Sequence, residues 1–192
     1  PPGPRLDTSC FWFGCTAVAG SPYSFSDCYY YCDAGYYNPT GGDSISACRA
    51  CPAGKFSTMS GFTSCVSCPA GKYSSSPAAT SEATCTTCPE GTYSGISSSS
   101  CTTCPAGRFN SDDATSPTNH DSLSDCSICQ AGKYISDKGT NATKHIECDL
   151  CPLGKSNGYD NTDASRHNSF DDCEPCNVGY YNDVAGATVC KS

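Results

Sequence analysis

The chain has 192 residues, 19 of them cysteine, a net charge of −8 and 37% hydrophobic residues. Leu, Ile, Val and Phe together number only 21, too few for a large apolar core to offset the roughly 1–2 kcal/mol per residue of ordering a backbone, so covalent staples must substitute for one. Scattered Lys and Arg exclude a nucleic-acid binder, which needs clustered cations, and no apolar run approaches the roughly 18–20 residues that span a bilayer.

Residues 1–47 read as an aromatic-rich N-terminal cap followed by a first, atypical repeat. Pro1, Pro2 and Pro4 around Gly3 suit polyproline II or an unstructured opening. Ten of the 20 aromatics fall within the first 37 residues. They are expected either to form a modest core stapled by Cys10, Cys15 or Cys28, or to present an interface through Phe11, Trp12, Phe13, Tyr29, Tyr30 and Tyr31.

Residues 48–192 read as a tandem array. Cys-x-x-Cys occurs seven times, at Cys48/Cys51, Cys65/Cys68, Cys85/Cys88, Cys101/Cys104, Cys126/Cys129, Cys148/Cys151 and Cys173/Cys176. The second cysteine is followed by PAGKF at 52–56, PAGKY at 69–73, PEGTY at 89–93 and PAGRF at 105–109. Looser copies are QAGKY at 130–134, PLGKS at 152–156, DAGYY at 33–37 and NVGYY at 177–181. Repetition at this short period predicts small units that each contact mainly their neighbours. Within a unit, Pro-x-Gly predicts a turn and the aromatic opens a short strand, giving one small hairpin per loop. The two residues inside each Cys-x-x-Cys are expected to act as hinges between units. No stretch sustains a 3.6-residue period, so little helix is expected.

Three chemistries fit the cysteines. Zinc needs four thiolates, and Cys65/Cys68 with Cys85/Cys88, or Cys126/Cys129 with Cys148/Cys151, have a suitable spacing. Yet an unbroken run of seven pairs does not divide into fours. Redox catalysis calls for one reactive dithiol on an α/β scaffold, which is absent from the pattern. Structural disulfides remain. A sequential scheme closes eight loops, Cys32–Cys48, Cys51–Cys65, Cys68–Cys85, Cys88–Cys101, Cys104–Cys126, Cys129–Cys148, Cys151–Cys173 and Cys176–Cys190. An interlocked scheme pairs Cys48–Cys65 with Cys51–Cys68. The first leaves an odd cysteine among Cys10, Cys15 and Cys28.

The string C-x-x-C-P-x-G-x-[FY]-[SN] resembles the ephrin-receptor-like cysteine-rich repeats, over about residues 28–192, and is similar to the first loop module of tumour necrosis factor receptor ectodomains. The resemblance implies a small disulfide-rich fold, mostly irregular with short β-hairpins, drawn out as an elongated rod of tandem repeats, and it favours sequential pairing. The interlocked second module of those receptors is missing.

Other positions follow from local chemistry. Asn141-Ala142-Thr143 is an N-glycosylation sequon, whereas Pro39 blocks the one at Asn38. Asp112, Asp113, Asp160, Asp163, Asp171 and Asp172 form no calcium loop and are expected to be solvated charges. His120, His145 and His167 lie singly in separate loops and are expected at the surface, with no catalytic constellation around them. No enzyme and no cofactor or metal site is expected. The chain is expected to be a processed ectodomain, with any membrane anchor outside these residues. The function predicted is an extracellular structural protein, secreted or at the cell surface and glycosylated, that builds a scaffold or filament with copies of itself or other matrix proteins. The alternative is a ligand-binding ectodomain of a receptor-like surface protein.

Overall fold

The computed structural model describes residues 31–41 and 47–192. Each loop begins with a four-residue turn. The Lys55 N–H donates to the Pro52 carbonyl at 3.1 Å, and between them Gly54 takes φ +82°. Positive φ at the third position defines a type II turn, which glycine enters without strain. Proline occupies the first position of the turn and supplies its carbonyl.

The turn launches a two-residue strand that contains the aromatic, or Ser156 in its place in the repeat at 152–156. Seven such strands are β1 (Tyr36–Tyr37), β3 (Lys55–Phe56), β5 (Lys72–Tyr73), β7 (Thr92–Tyr93), β9 (Arg108–Phe109), β11 (Lys133–Tyr134) and β13 (Lys155–Ser156). Their partners are β2 (Arg49–Ala50), β4 (Val66–Ser67), β6 (Thr86–Thr87), β8 (Thr102–Thr103), β10 (Ser127–Ile128), β12 (Asp149–Leu150) and β14 (Glu174–Pro175). Every sheet is a two-stranded pair of consecutive strands, with registers such as Phe56↔Val66 and Tyr93↔Thr102 antiparallel. The even-numbered partners are the dipeptides inside Cys-x-x-Cys. The expectation of hinges is therefore corrected: a dipeptide pinned by a cysteine on each side is held extended and pairs back onto the loop behind it. The remaining regular structure, among the described residues, is 3-10 turns of three residues, such as Glu82–Thr84 and Phe170–Asp172.

Two compact units divide the chain. The first comprises Pro1–Pro69, Tyr73–Thr86 and Ile96–Ser100; the second comprises Ala70–Lys72, Thr87–Gly95 and Cys101–Ser192. Sulfur dominates both interiors. In the first, Phe56, Cys68, Ala79 and Cys85 pack together. In the second, Ile135 packs between Cys129 and Cys148, with Phe109 against them, while Tyr134 meets Phe170 edge to face at 5.7 Å. The Lys155 ammonium sits 4.1 Å above the Phe170 ring, a cation–π contact to an aromatic that stays 44% exposed.

Candidate functional site

Eight disulfides join Cys32–Cys48, Cys51–Cys65, Cys68–Cys85, Cys88–Cys101, Cys104–Cys126, Cys129–Cys148, Cys151–Cys173 and Cys176–Cys190. Cys65, Cys68, Cys85 and Cys88 are thus shared among three bonds, and none offers the thiolate that zinc requires. Cys10, Cys15 and Cys28 lie outside the described residues, as do Phe11, Trp12, Phe13, Tyr29 and Tyr30. Tyr31 is described: it is 48% exposed, and its ring lies beside Gly61.

The repeats are joined by backbone groups. In the first unit the Gly35 N–H donates to the Ser57 carbonyl at 2.9 Å and Gly54 to Ser74 at 2.7 Å. In the second, Gly71 donates to Ser94, Gly91 to Asn110, Gly107 to Ile135, Gly132 to Asn157 and Gly154 to Asn182, at 2.7–3.0 Å. Donor and acceptor recur at fixed places: the turn glycine, and the residue after the aromatic of the next repeat, or after Ser156 where that repeat has no aromatic. That acceptor residue is buried each time, polar in all cases but Ile135. Its own N–H donates onward into the next loop, from Ser57 to Ala79 at 3.0 Å, Ser94 to His120 at 2.8 Å and Ile135 to His167 at 2.9 Å. Ser/Asn is suited to this buried column because its side chain can satisfy local backbone groups. The Asn110 amide donates to the Asn119 carbonyl at 2.8 Å, and the Asn157 amide to the Arg166 carbonyl at 2.9 Å.

The histidines overturn their expected surface location. His120, His145 and His167 are each 0% exposed, and all occupy the loop position held by Ala79 and Ser98 in shorter loops. Their Nδ1 atoms face the carbonyl oxygens of Thr92 at 2.8 Å, Arg108 at 2.9 Å and Lys133 at 2.9 Å. Their Nε2 atoms face Asp112 Oδ1 at 2.9 Å, Asp137 Oδ1 at 3.0 Å and the Asp160 carbonyl at 2.9 Å. The reason is loop length. These histidines stand in loops spanning 22, 19 and 22 residues, whose extra chain would leave a gap over the preceding strand. An imidazole fills the gap and ties the start of its own loop to the repeat before. The sequence signal is an Asp eight residues ahead of His120 and His145.

The loop carboxylates are likewise structural. Asp137 Oδ1 accepts from the N–H groups of Gly139 at 2.9 Å and Thr140 at 2.8 Å, and Oδ2 from the Thr140 hydroxyl at 2.6 Å. The Thr140 hydroxyl first, and His145 next, hold its pKa well below the usual carboxylate range. Asp112 is lowered chiefly by the Asn119 amide, which donates to it at 2.7 Å, with His120 adding to the effect. Asp163 accepts from the Ser165 N–H at the start of its 3-10 turn at 2.9 Å, and Asp172 from the Ser169 N–H at 2.8 Å. Asp113, Asp160 and Asp171 are exposed.

Asn141 is exposed at the N-cap of Ala142–Lys144. Its Oδ1 accepts from the Thr143 N–H at 3.1 Å and from the Thr143 hydroxyl at 2.8 Å. No helix among the described residues is long and apolar enough to cross a membrane. Residues 42–85, which include the whole second and third loops, match the family of tyrosine-protein kinase ephrin type A/B receptor-like proteins. No curated protein matches the chain. That family and the density of disulfides point to an extracellular or cell-surface domain.

Proposed function

Because the chain is an ephrin-receptor-like cysteine-rich repeat protein with eight tandem disulfide loops, we propose that it is a structural protein, a stapled rod that builds an extracellular scaffold or filament by self-assembly. The observation that carries this reading is the backbone ladder. Each repeat grips the next through one glycine N–H and one buried carbonyl, groups that any further copy of the repeat can supply. Contacts of that kind are heterologous and extend until something closes them. The three histidines support a non-enzymatic role, since all are buried as ties within loops. Electron micrographs and sedimentation across a concentration series test the proposal. Assembly that grows with concentration is expected, and a chain that stays monomeric throughout removes the reading.

A second reading, a ligand-binding receptor-like ectodomain, is favoured by the family match at 42–85. Stoichiometric capture of one soluble protein by the purified chain, without self-assembly, would select it. Glycosylation at Asn141 belongs to both readings. Its exposure and the Thr143 hydroxyl bond present the sequon to a transferase. Peptide N-glycosidase is expected to remove one glycan from the chain made in a secretory host and to leave Asp at 141; an unmodified Asn141 there would rule it out.

A further inference from the structure

The eight bridges differ in how far solvent reaches them, and loop length separates them. In the four longest loops the sequence separations are 17, 22, 19 and 22. Both cysteines are buried in each: Cys68–Cys85, Cys104–Cys126, Cys129–Cys148 and Cys151–Cys173. The bridges Cys51–Cys65 and Cys88–Cys101 close shorter loops, with separations of 14 and 13. Their opening cysteines, Cys51 and Cys88, are 0% exposed, yet the closing ones, Cys65 and Cys101, are only half-buried.

The difference lies in the chain just ahead of the closing cysteine. A long loop has residues to spare for a 3-10 turn there. Glu82–Thr84, Leu123–Asp125 and Phe170–Asp172 run directly into Cys85, Cys126 and Cys173. The N–H groups of those cysteines donate back to the Glu82, Leu123 and Phe170 carbonyls at 2.9–3.2 Å. A carboxylate fixes two of the turns: Asp125 accepts from the Ser122 N–H at 2.9 Å, and Asp172 from the Ser169 N–H at 2.8 Å. In the loop closed by Cys148, buried His145 fills the space three residues ahead. The two short loops have no such turn. Thr63 and Ser64, before Cys65, and Ser99 and Ser100, before Cys101, are all exposed.

Thiol–disulfide exchange requires a thiolate to reach one sulfur of the bridge, so access decides which bridge opens. We propose that Cys51–Cys65 and Cys88–Cys101 are thiol–disulfide exchange sites, which a dithiol reductant opens in the folded chain ahead of the bridges of the four long loops. The proposal is confined to these two because a bridged loop stands on either side of each. The attacking thiolate bonds to Sγ of Cys65 or Cys101, and the buried Cys51 or Cys88 leaves as a thiolate and takes up a proton. The second thiol of the reductant then displaces the closing cysteine from the mixed disulfide. Two electrons pass to the chain, which gains two thiols, and the dithiol ends as a disulfide. The hairpins β3–β4 and β7–β8 lose their staple, while Cys68 and Cys104 still hold the far ends of β4 and β8.

The test is native reduction of the whole chain by dithiothreitol. Samples are quenched in time with N-ethylmaleimide, then fully reduced, alkylated with iodoacetamide and mapped by peptide mass. N-ethylmaleimide should reach Cys51, Cys65, Cys88 and Cys101 roughly tenfold faster than the cysteines of the four long loops. Asp125→Ala, which unties the turn over Cys126, should raise the rate at Cys104–Cys126 several-fold and leave Cys129–Cys148 unchanged. One common rate for all bridges, as when reduction waits on unfolding, would overturn the proposal. So would long-loop bridges that open first. A rate at Cys104–Cys126 that D125A leaves unchanged would overturn the shelter assigned to the turn.

Discussion

Ser57 and Ser74 hold the same place in successive repeats, yet their hydroxyls differ. Ser57 Oγ accepts from the Gly35 N–H at 2.8 Å and donates to the Tyr36 carbonyl at 3.3 Å. Ser74 Oγ is buried with no partner. Ser57→Ala should therefore lose about 1–2 kcal/mol, whereas Ser74→Ala should be neutral or gain up to about 1 kcal/mol, because a buried unpaired hydroxyl is worse than a methyl. Denaturant unfolding without reductant measures both. Asp137 gives a pH dependence. Its folded pKa is depressed by Thr140 and His145, so its contribution is fully present above the unfolded value near 4 and is lost as pH falls through the lower folded value. Asp137→Asn should lower the melting temperature at pH 7, and the gap to wild type should narrow on acidification below about pH 4. A gap that widens in acid would contradict that assignment.

The repeat is built on its turn and its dipeptide. Gly132→Ala puts a methyl onto the Gly186 carbonyl, backbone against backbone, and should cost roughly 3 kcal/mol or more. Gly179→Ala meets open space and should cost only about 1–2 kcal/mol, the strain of a left-handed residue. Thermal melts of the two variants compare them directly. Turn, glycine and aromatic strand were all legible in the sequence, since they are encoded within five adjacent residues. The role of the dipeptides was not, because their strand partners come from the loop behind and depend on disulfides drawing the two together. Nor was the burial of the histidines. Their carbonyl partners lie 28, 37 and 34 residues upstream, a separation that no local pattern reports. The Asp-x7-His spacing of two long loops was the one available clue.

Across the whole molecule, crosslinks stand in for a core. Each loop closure is worth roughly 3 kcal/mol in the chain-entropy model, and neighbours add the backbone ladder. Replacing Cys129 and Cys148 by Ala should open the sixth loop and, through the loss of the His145–Arg108 tie, loosen the fifth. Hydrogen exchange should show lost protection there, with β3 and β4 in the first unit unchanged. Loss of protection throughout the chain would mean that the repeats fold as one cooperative block.

The same connectivity decides how the chain answers a mechanical pull. Tension applied between Cys32 and Cys190 runs through eight sulfur bridges and seven extended dipeptides, while the loop residues hang aside from the load. Between Cys32 and Cys190 the covalent load path is thus short while the bridges are oxidised. Cutting the single bridge Cys104–Cys126, with 22 residues of separation, would pay out about 70 Å of slack, so a reductant acts on this protein as a release catch.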